Sequence, residues 1–467
     1  MKPVLRTLHS FLIELAASDP DKVLLFGPEC RMTIAEVLHA AEAAAGSLIR
    51  NGIRPGDRIA LQTRRDLNTA LAILALQLTG ALAVLIDARQ DALTFAREQD
   101  IPVSMTLDPN DLEFSGNVSR EMLPEVDPRA PGFLIFTSGS TGKPKGVMLS
   151  QYNLVNNLVD SQPLGRYHYD DIALGALPMD HVFGLVLLAG ICVLGYSICF
   201  PETTDIACIL QTIETSRITR MNGVPSLYLA MAEQADKFDL SSLRAGFIGG
   251  GPCTPEQFKR IEQALDMILI PVYGMSECIG ISCGNWQDPQ ELRCAGVGRF
   301  YSMNTGKILL DDGTEVAPGQ IGEVCVTGAA RMVGYYPEIM PAEELLHTGD
   351  LGYVDQNGIL WLTGRKKDII IRNGVNLSPL RIEQALLSIP GIAEATVVGI
   401  PHPVQGEVPC AMVSGQLTGS DILAALSGLL PKNEIPMGIL TVDRLPMTAS
   451  GKPDKQNIRE VLLEWKA

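Results

Sequence analysis

The chain has 467 residues, 46% of them hydrophobic, so it can bury a large core and is too long for one compact domain; we expect two or three. Lysine and arginine number 37 against 53 aspartate and glutamate residues, and the net charge of −16 argues against broad binding to nucleic acid or acidic membranes, though not against a local basic pocket. The ten cysteines lack a repeated Cys-x-x-Cys spacing, which indicates neither a zinc knuckle nor a disulfide framework, and we expect most of them to be reduced and buried.

Two apolar stretches need to be weighed as targeting or membrane segments. Residues 1–22 contain an apolar run that Glu14 interrupts, and their charge pattern predicts an amphipathic helix rather than a secretory signal. We therefore expect a cytoplasmic protein. Residues 182–200 are long enough to span a bilayer, but internal glycines, the following Pro201 and the lack of a basic flank favour a buried helix followed by a strand. We expect no integral membrane association.

The first third of the chain alternates helical and strand patterns. Thr33 can cap a helix that ends near Asn51. Residues 55–63 then predict a turn and a strand, residues 67–80 a helix, and residues 81–87 an apolar strand. This alternation indicates strands buried between helices, as in a layered α/β fold.

Residues 137–146, TSGSTGKPKG, form a loop of glycines, hydroxyls and lysines between two strand-like runs. It differs from the Walker loop because two residues separate Gly139 from Gly142 and a proline follows Lys143. Because the loop joins two strands, a helix dipole does not act directly on a bound phosphate here as it does in the Walker loop. Backbone amides of the loop can form an anion nest and Lys145 can neutralise a phosphate, whereas a solvated hairpin turn is the alternative.

Two later segments place small residues beside strand ends, where α/β sheets bind ligands: residues 247–253, FIGGGPC, and residues 271–277, PVYGMSE. In the second segment, Tyr273 could stack on a base and Ser276 could donate to a phosphate. Glu277 supplies the hard oxygen that Mg²⁺ prefers. A strand-end turn without chemistry is the alternative.

Turn-punctuated segments after residue 300 predict antiparallel strands. Asp350 and Arg365 flank a hairpin there; a carboxylate is a natural acceptor for two ribose hydroxyls, although each residue alone would more commonly be a surface charge. A domain boundary is expected near residues 364–368, followed by a small α+β unit in which Ser378 begins a helix.

The chain resembles the adenylate-forming superfamily of acyl-CoA synthetases, peptide-synthetase adenylation domains and beetle luciferases. The resemblance covers nearly the whole chain through motifs in the same order, at residues 32–61, 137–146, 273–277, 348–350, 364–368 and 448–455. It implies an α/β plus α+β fold: a large adenylate-forming domain, residues 1–364, with layered α/β subdomains and a β-rich subdomain, and a small mobile domain, residues 365–467.

The resemblance also implies a reaction. A carboxylic acid attacks the α-phosphorus of ATP, pyrophosphate leaves, and the acyl adenylate stays bound until a pantetheine thiol, of CoA or of an acyl carrier protein, takes the acyl group. ATP and Mg²⁺ are the implied cofactors. Because charge develops on the non-bridging oxygens and on pyrophosphate, fixed positive donors should supply most of the rate gain.

The same resemblance assigns roles to residues of this sequence. The loop would contact the β- and γ-phosphates, with Lys145 as a catalytic lysine, while Tyr273 would help to enclose the adenine. Asp350 and Arg365 would hold the ribose, and Glu277 would bind Mg²⁺. The implied nucleotide-binding residues are Thr137, Ser138, Gly139, Ser140, Thr141, Gly142, Gly250, Gly251, Pro252, Tyr273, Gly274, Met275, Ser276, Asp350 and Arg365.

The small domain would supply the catalytic Lys452, bridging the acid and the α-phosphate; a surface lysine in a polar loop is the alternative. By resemblance, this domain rotates between the two half-reactions. Lys367 matches the hinge position, and Gly374 lies in the segment that would line the thiol tunnel.

The acid itself is less defined. His181 lies where acyl- and aryl-CoA ligases carry a histidine near the substrate carboxylate, and it could orient the acid or simply be satisfied beside the core. Amino-acid-activating relatives use an aspartate in this region, but without such a histidine, so the pair Asp180 and His181 favours a non-amino acyl or aryl acid. Gly249 removes a side chain beside the adenylate and suits either a tunnel or a flat ring.

Three hypotheses follow. The first is a free-standing acyl- or aryl-CoA ligase, and the second is an enzyme that loads a carrier protein. The third is a nucleotide-binding protein without chemistry. The short chain resembles o-succinylbenzoate-type and other compact acyl-CoA ligases, which favours the first hypothesis.

Overall fold

A computed structural model describes residues 2–28, 30–116, 119–137, 144–447 and 453–466. The helices are α1 Leu8–Ser18, α2 Ile34–Arg50, α3 Leu67–Thr79, α4 Ala92–Glu98, α5 Gln151–Ser161, α6 Val182–Val193, α7 Ile206–Ser216, α8 Pro225–Ala232, α9 Pro255–Leu265, α10 Gln290–Arg293, α11 Pro379–Leu387, α12 Gly419–Leu426 and α13 Lys455–Lys466.

The strands are β1 Val23–Phe26, β2 Arg31–Thr33, β3 Arg58–Thr63, β4 Leu82–Asp87, β5 Met105–Leu107, β6 Pro131–Thr137, β7 Lys145–Ser150, β8 Ile172–Leu174, β9 Ser197–Cys199, β10 Ala245–Ile248, β11 Ile268–Met275, β12 Cys278–Cys283, β13 Arg299–Phe300, β14 Asn304–Leu309, β15 Gly322–Gly328, β16 Gly334–Tyr335, β17 Leu346–Val354, β18 Leu360–Arg365, β19 Ile370–Arg372, β20 Val375–Leu377, β21 Ile392–His402, β22 Gly406–Gly415 and β23 Gly438–Val442.

Local capping chemistry sets where the helices begin. The Thr33 side chain accepts a hydrogen bond from the backbone N–H of Glu36, whose carboxylate accepts from the backbone N–H of Thr33, so α2 begins with a complete capping box. Ser150 caps α5 in the same way, and Ser378 caps α11 with a proline in its first turn. The helix starts predicted at Thr33 and Ser378 are confirmed.

A six-stranded sheet, in the order β16-β7-β6-β4-β3-β5, forms the centre of the amino-terminal part. Strands β6, β4, β3 and β5 run parallel to one another, whereas β7 is antiparallel to β6 and β16 to β7. The predicted layered α/β arrangement is therefore correct, and α3 is buried from Thr69 to Thr79.

Three further sheets complete this part, in the orders β2-β1-β9-β8, β10-β11-β12-β13 and β14-β15-β17-β18. The last is wholly antiparallel, as the turn-punctuated sequence predicts. A fifth sheet, in the order β20-β19-β22-β21 with β23 beside β22, packs with α11 and α12 around a separate hydrophobic core. The fold class α/β plus α+β is confirmed.

The apolar run at 182–200 is a helix and a strand, as predicted: α6 has 12 residues and β9 follows it. Among the described residues, none of the helices combines the length and the apolar character needed to cross a bilayer. The cytoplasmic location stays a prediction. All ten cysteines are free thiols and six are buried, in agreement with the sequence.

Candidate active site

A buried carboxylate, Asp350, joins two sheets at the centre of the candidate site. Asp350 of β17 is the register partner of Arg365 of β18, and its Oδ1 accepts a hydrogen bond of 2.9 Å from the Arg365 Nε. Its Oδ2 accepts a hydrogen bond of 2.6 Å from the hydroxyl of Tyr273 on β11. Tyr273 is 8% exposed and Asp350 6% exposed. The structure therefore brings these three residues together, and we call them the ribose cluster after the role that the resemblance predicts for Asp350 and Arg365.

The surroundings of the ribose cluster keep the Tyr273 hydroxyl and the Arg365 guanidinium protonated. Burial and the Asp350 charge raise the pKa of the Tyr273 hydroxyl well above its usual value, so this group stays a hydrogen-bond donor. Burial opposes the charge of Arg365, but the negative charges of Asp350 and Asp368 raise the pKa of this guanidinium. A carboxylate held from two sides presents its remaining lone pairs in one orientation, which suits two neighbouring hydroxyl donors.

The short sequence before Asp350 sets its position. Gly349 has a φ of +72°, in the left-handed region that glycine tolerates best. The Thr348 hydroxyl donates to the Val324 carbonyl oxygen at 2.7 Å and accepts from the Asp350 backbone N–H at 3.0 Å. The TGD triplet thus fixes the backbone that carries the carboxylate.

Glu277 lies in a two-residue hairpin turn between β11 and β12, closed by the pair Met275 and Cys278. Its side chain accepts a hydrogen bond of 2.8 Å from the Tyr335 hydroxyl, and its carbonyl oxygen accepts from the Met332 N–H at 2.8 Å. Glu277 is 8% exposed. Ser276 and the nearby Gly274 and Met275 belong to the same hairpin, so all of the YGMSE motif lies beside the ribose cluster.

Tyr335 connects Glu277 to Lys145, near the end of residues 137–146, which we call the phosphate loop after its predicted role; the sequence did not predict this connection. The Lys145 Nζ lies 5.0 Å from the centre of the Tyr335 ring. Strand β16, which carries Tyr335, pairs with β7, and the Tyr336 N–H donates to the Gly146 carbonyl oxygen at 2.8 Å. A cavity of about 300 Å³ lies beside Lys145, lined in part by both tyrosines. The aromatic pair in GYYP was the available signal, but nothing local links it to the loop.

The two strands on either side of the predicted phosphate loop pair with each other. Thr137 and Lys145 are register partners at the ends of the antiparallel strands β6 and β7, which confirms that the loop joins two strands. The predicted contacts of Ser138, Gly139, Ser140, Thr141 and Gly142, and of Lys452 in the small domain, lie outside the described residues.

The glycine run that follows β10 has a packing role at its first position. A Cβ on Gly249 would lie 2.5 Å from the carbonyl oxygen of Val272 on the adjacent strand β11. Gly250 has a φ of +78°, and it is exposed together with Gly251 and Pro252. The run thus leaves β10 beside the end of β11 that carries Tyr273, and close strand packing accounts for Gly249 without a substrate.

His181 is the N-cap of α6. Its Nδ1 accepts a hydrogen bond of 3.3 Å from the Phe183 backbone N–H, so in the neutral ring the proton lies on Nε2. His181 therefore has a structural role as a helix cap, and the same hydrogen bond fixes the orientation of its ring. At the preceding Asp180, burial and the negative charge of Asp87 raise the pKa of the carboxyl.

Three consecutive residues of a 3₁₀ turn, Lys366 to Asp368, separate β18 from the small carboxy-terminal unit. The Lys366 Nζ contacts Asp311 at 2.6 Å and Glu323 at 3.2 Å in the preceding sheet region. On the other side, the Asp368 carboxylate contacts the Lys455 Nζ of α13 at 2.8 Å. Lys367 lies between these two anchors, and Gly374 occupies the exposed turn between β19 and β20 with a φ of +77°.

The family model described as AMP-binding enzyme matches residues 13–97 and 95–336, and the model of the AMP-binding enzyme C-terminal domain matches residues 381–452. The chain belongs to the AMP-binding enzyme family. The resemblance to the adenylate-forming superfamily is therefore confirmed, and this AMP-binding enzyme is an AMP-forming acid–thiol ligase.

Three relatives extend the comparison. The AMP-binding enzyme is 30% identical to a 2-succinylbenzoate–CoA ligase of Bacillus cereus over 99% of this chain and 100% of the relative. It is 34% identical to an indoleacetate–CoA ligase of Aromatoleum aromaticum over 75% and 71% of the two chains. It is 26% identical to the o-succinylbenzoate CoA synthetase MenE of Bacillus subtilis, solved with its acyl-adenylate intermediate, with a TM-score of 0.84 and 98% of each chain covered. MenE has also been solved with ATP and a magnesium ion, where the TM-score is 0.83, the identity 26% and the coverage 96% and 98%.

Proposed function

We propose that this AMP-binding enzyme is an acyl- or aryl-CoA ligase that activates a carboxylic acid without an amino group. It uses ATP and Mg²⁺ to form an acyl adenylate and transfers the acyl group to the thiol of CoA. The single observation that carries the site assignment is the ribose cluster, in which a buried carboxylate on β17 meets Tyr273 of β11, beside the hairpin that holds Glu277. Loading of a carrier protein is the second candidate, since both acceptors present the same pantetheine thiol.

In the adenylation step, the chain's residues act by binding and orientation. The ATP ribose hydroxyls would donate to Asp350, whose carboxylate Tyr273 and Arg365 hold in place. The phosphate loop and Lys145 would neutralise the leaving pyrophosphate, and Lys452 would contact the acid and the α-phosphate. Donors that are already in position do not have to reorganise as charge develops in the transition state. Their positioning should therefore supply most of the rate enhancement.

Glu277 fits a magnesium site. Its carboxylate is a hard oxygen ligand, shielded from solvent, and the Tyr335 hydroxyl orients it beside Lys145. A bound Mg²⁺ would neutralise charge on the phosphate oxygens. Tyr335 would keep Glu277 and Lys145 at a fixed separation, and burial together with the Glu277 charge raises the pKa of the Tyr335 hydroxyl, so it stays a donor.

We propose domains at residues 1–364 and 365–467, with Lys367 as the hinge. The ion pairs around the 3₁₀ turn support this division, because Lys366 is anchored to the larger part and Asp368 to α13 of the smaller part. Lys455 follows Lys452 by three residues, so its contact with Asp368 would make the catalytic lysine segment rotate with the turn. After rotation, the turn at Gly374 would line the thiol tunnel.

The acid pocket is proposed around His181 and the glycine run. The cap to Phe183 fixes the His181 ring and places the proton on Nε2, which would donate to the substrate carboxylate. The relatives named for 2-succinylbenzoate and indoleacetate act on acids that carry a ring. Aromatic carboxylic acids are therefore the first class to test.

The deciding experiment measures pyrophosphate release for a panel of aromatic, aliphatic and amino acids, each with and without CoA. We expect release with an aromatic or aliphatic acid and formation of its CoA thioester, detected by mass spectrometry. Lys452→Ala should abolish adenylation, whereas Lys432→Ala, an exposed lysine of the same domain, should not. Release without turnover of CoA, but with transfer to a holo carrier protein, would favour the second candidate. ATP binding without release for any acid would support a protein without chemistry.

A further inference from the structure

Three potential metal ligands, Glu323, Cys325 and His347, converge on the β14-β15-β17-β18 sheet, outside the ribose cluster. Cys325 of β15 and His347 of β17 are register partners, and Glu323 precedes Cys325 by two residues on β15. The Cys325 Sγ lies 3.4 Å from the His347 Nδ1, which lies 3.3 Å from the Glu323 Oε2. One ligand atom from each residue lies within 4.8 Å of the other two.

The two separations from the His347 Nδ1, 3.4 Å and 3.3 Å, match those between neighbouring ligands of one tetrahedral ion. Zinc binds sulfur at about 2.3 Å and nitrogen or oxygen at about 2.0–2.2 Å, which sets neighbouring ligand atoms roughly 3.3–3.6 Å apart. The Cys325 thiol is buried, the Glu323 side chain is 11% exposed and the His347 side chain is 61% exposed, so an ion could enter from the histidine side and keep a water ligand. We propose that Glu323, Cys325 and His347 bind a Zn²⁺ ion, in what we call the sheet zinc site.

One ligand of this site, the Glu323 carboxylate, already contacts a cation that would compete with Zn²⁺. The Lys366 ammonium lies 3.2 Å from the same Glu323 Oε2 that faces His347, and it also contacts Asp311 at 2.6 Å. Zn²⁺ would displace this ammonium from Glu323 and leave it with Asp311. The Glu323 Oε1 accepts from the Gly349 N–H at 3.1 Å, so the sheet zinc site adjoins both the proposed hinge turn and the TGD triplet.

The test uses the full chain without nucleotide. Zn²⁺ affinity and stoichiometry are measured by competition with a chromogenic chelator, and Co²⁺ is added separately to detect a thiolate-to-metal charge-transfer band. We expect one Zn²⁺ per chain, and loss of tight binding and of the band in Cys325→Ser and His347→Ala. His347→Ala removes an exposed side chain, so its unfolding temperature should match that of the native chain.

Two matched controls sharpen the test. Cys30→Ser, which removes an exposed thiol elsewhere, should retain both the affinity and the Co²⁺ band. Lys366→Met removes the competing cation and should tighten Zn²⁺ binding by about tenfold, while the exposed Lys259→Met should change nothing. Absence of stoichiometric binding, binding that survives in His347→Ala, or an unchanged affinity in Lys366→Met would overturn the sheet zinc site.

Discussion

Replacement of Tyr273 by phenylalanine tests whether the ribose cluster pre-organises its carboxylate. The change removes one hydroxyl and keeps the ring that we propose to lie against the adenine. The lost bond is short, at 2.6 Å, and joins a neutral donor to the charged Asp350, with both residues buried. Hydrogen bonds of this charge-assisted kind contribute about 1.5–3 kcal/mol.

Arg365 remains 2.9 Å from Asp350 after the change, so the carboxylate is not left without a partner. The cost should therefore fall at the lower end of that range, about 1.5 kcal/mol, which corresponds to roughly a tenfold weaker interaction. We expect the KM for ATP to rise about tenfold, with kcat changed by less than about threefold, because the phosphate and acid contacts are untouched.

Acid-dependent pyrophosphate release across a range of ATP concentrations measures both constants. Tyr169→Phe is the matched control, because the Tyr169 hydroxyl also contacts a carboxylate, that of Asp19 at 3.0 Å, far along the chain from the ribose cluster. Its KM for ATP should not change. If Tyr273→Phe leaves the KM unchanged or lowers it, the ribose hydroxyls displace the Tyr273 hydroxyl from Asp350 instead of binding a carboxylate that Tyr273 orients. The pre-organisation argument then fails.

Three further predictions concern other parts of the site. Glu277→Gln keeps an acceptor for the Tyr335 hydroxyl but loses the charge, so the Mg²⁺ concentration for half-maximal activity should rise at least about tenfold while the unfolding temperature stays within a few degrees. Lys455→Met breaks the contact with Asp368, and single-turnover adenylation should slow about tenfold at saturating ATP; an unchanged rate would argue against coupling to the hinge turn. Burial raises the pKa of the Asp180 carboxyl, so the native state binds its proton more tightly than the unfolded state and the ionised form costs stability above the native pKa. Asp180→Asn should therefore raise the unfolding temperature at pH 8, and this gain should shrink as the pH falls towards 4; an equal gain at both pH values would contradict the burial argument.

The candidate site shows which contacts a single sequence could predict. Tyr273, Asp350 and Arg365 were predicted from a family resemblance, and the distances confirm that they meet. Tyr335 was missed because its contact with Lys145 depends on the pairing of β16 with β7. Neither hydrophobic periodicity nor helix-capping residues predict that pairing. For Gly249, a role beside the adenylate stays a prediction, and the structure adds a packing reason for the glycine, because a Cβ there would lie 2.5 Å from the Val272 carbonyl oxygen.

The sequence by itself determined the helix starts at Thr33 and Ser378, the position of the phosphate loop between two strands, and the layered α/β order. These features follow from hydrogen bonds and hydrophobic periods that act over a few residues. Only the tertiary structure decided which side chains share one site. Sheet register and strand order bring Asp350 to Tyr273 and Cys325 to His347. Packing across the whole chain sets the register and the order, so no local sequence pattern predicts either contact.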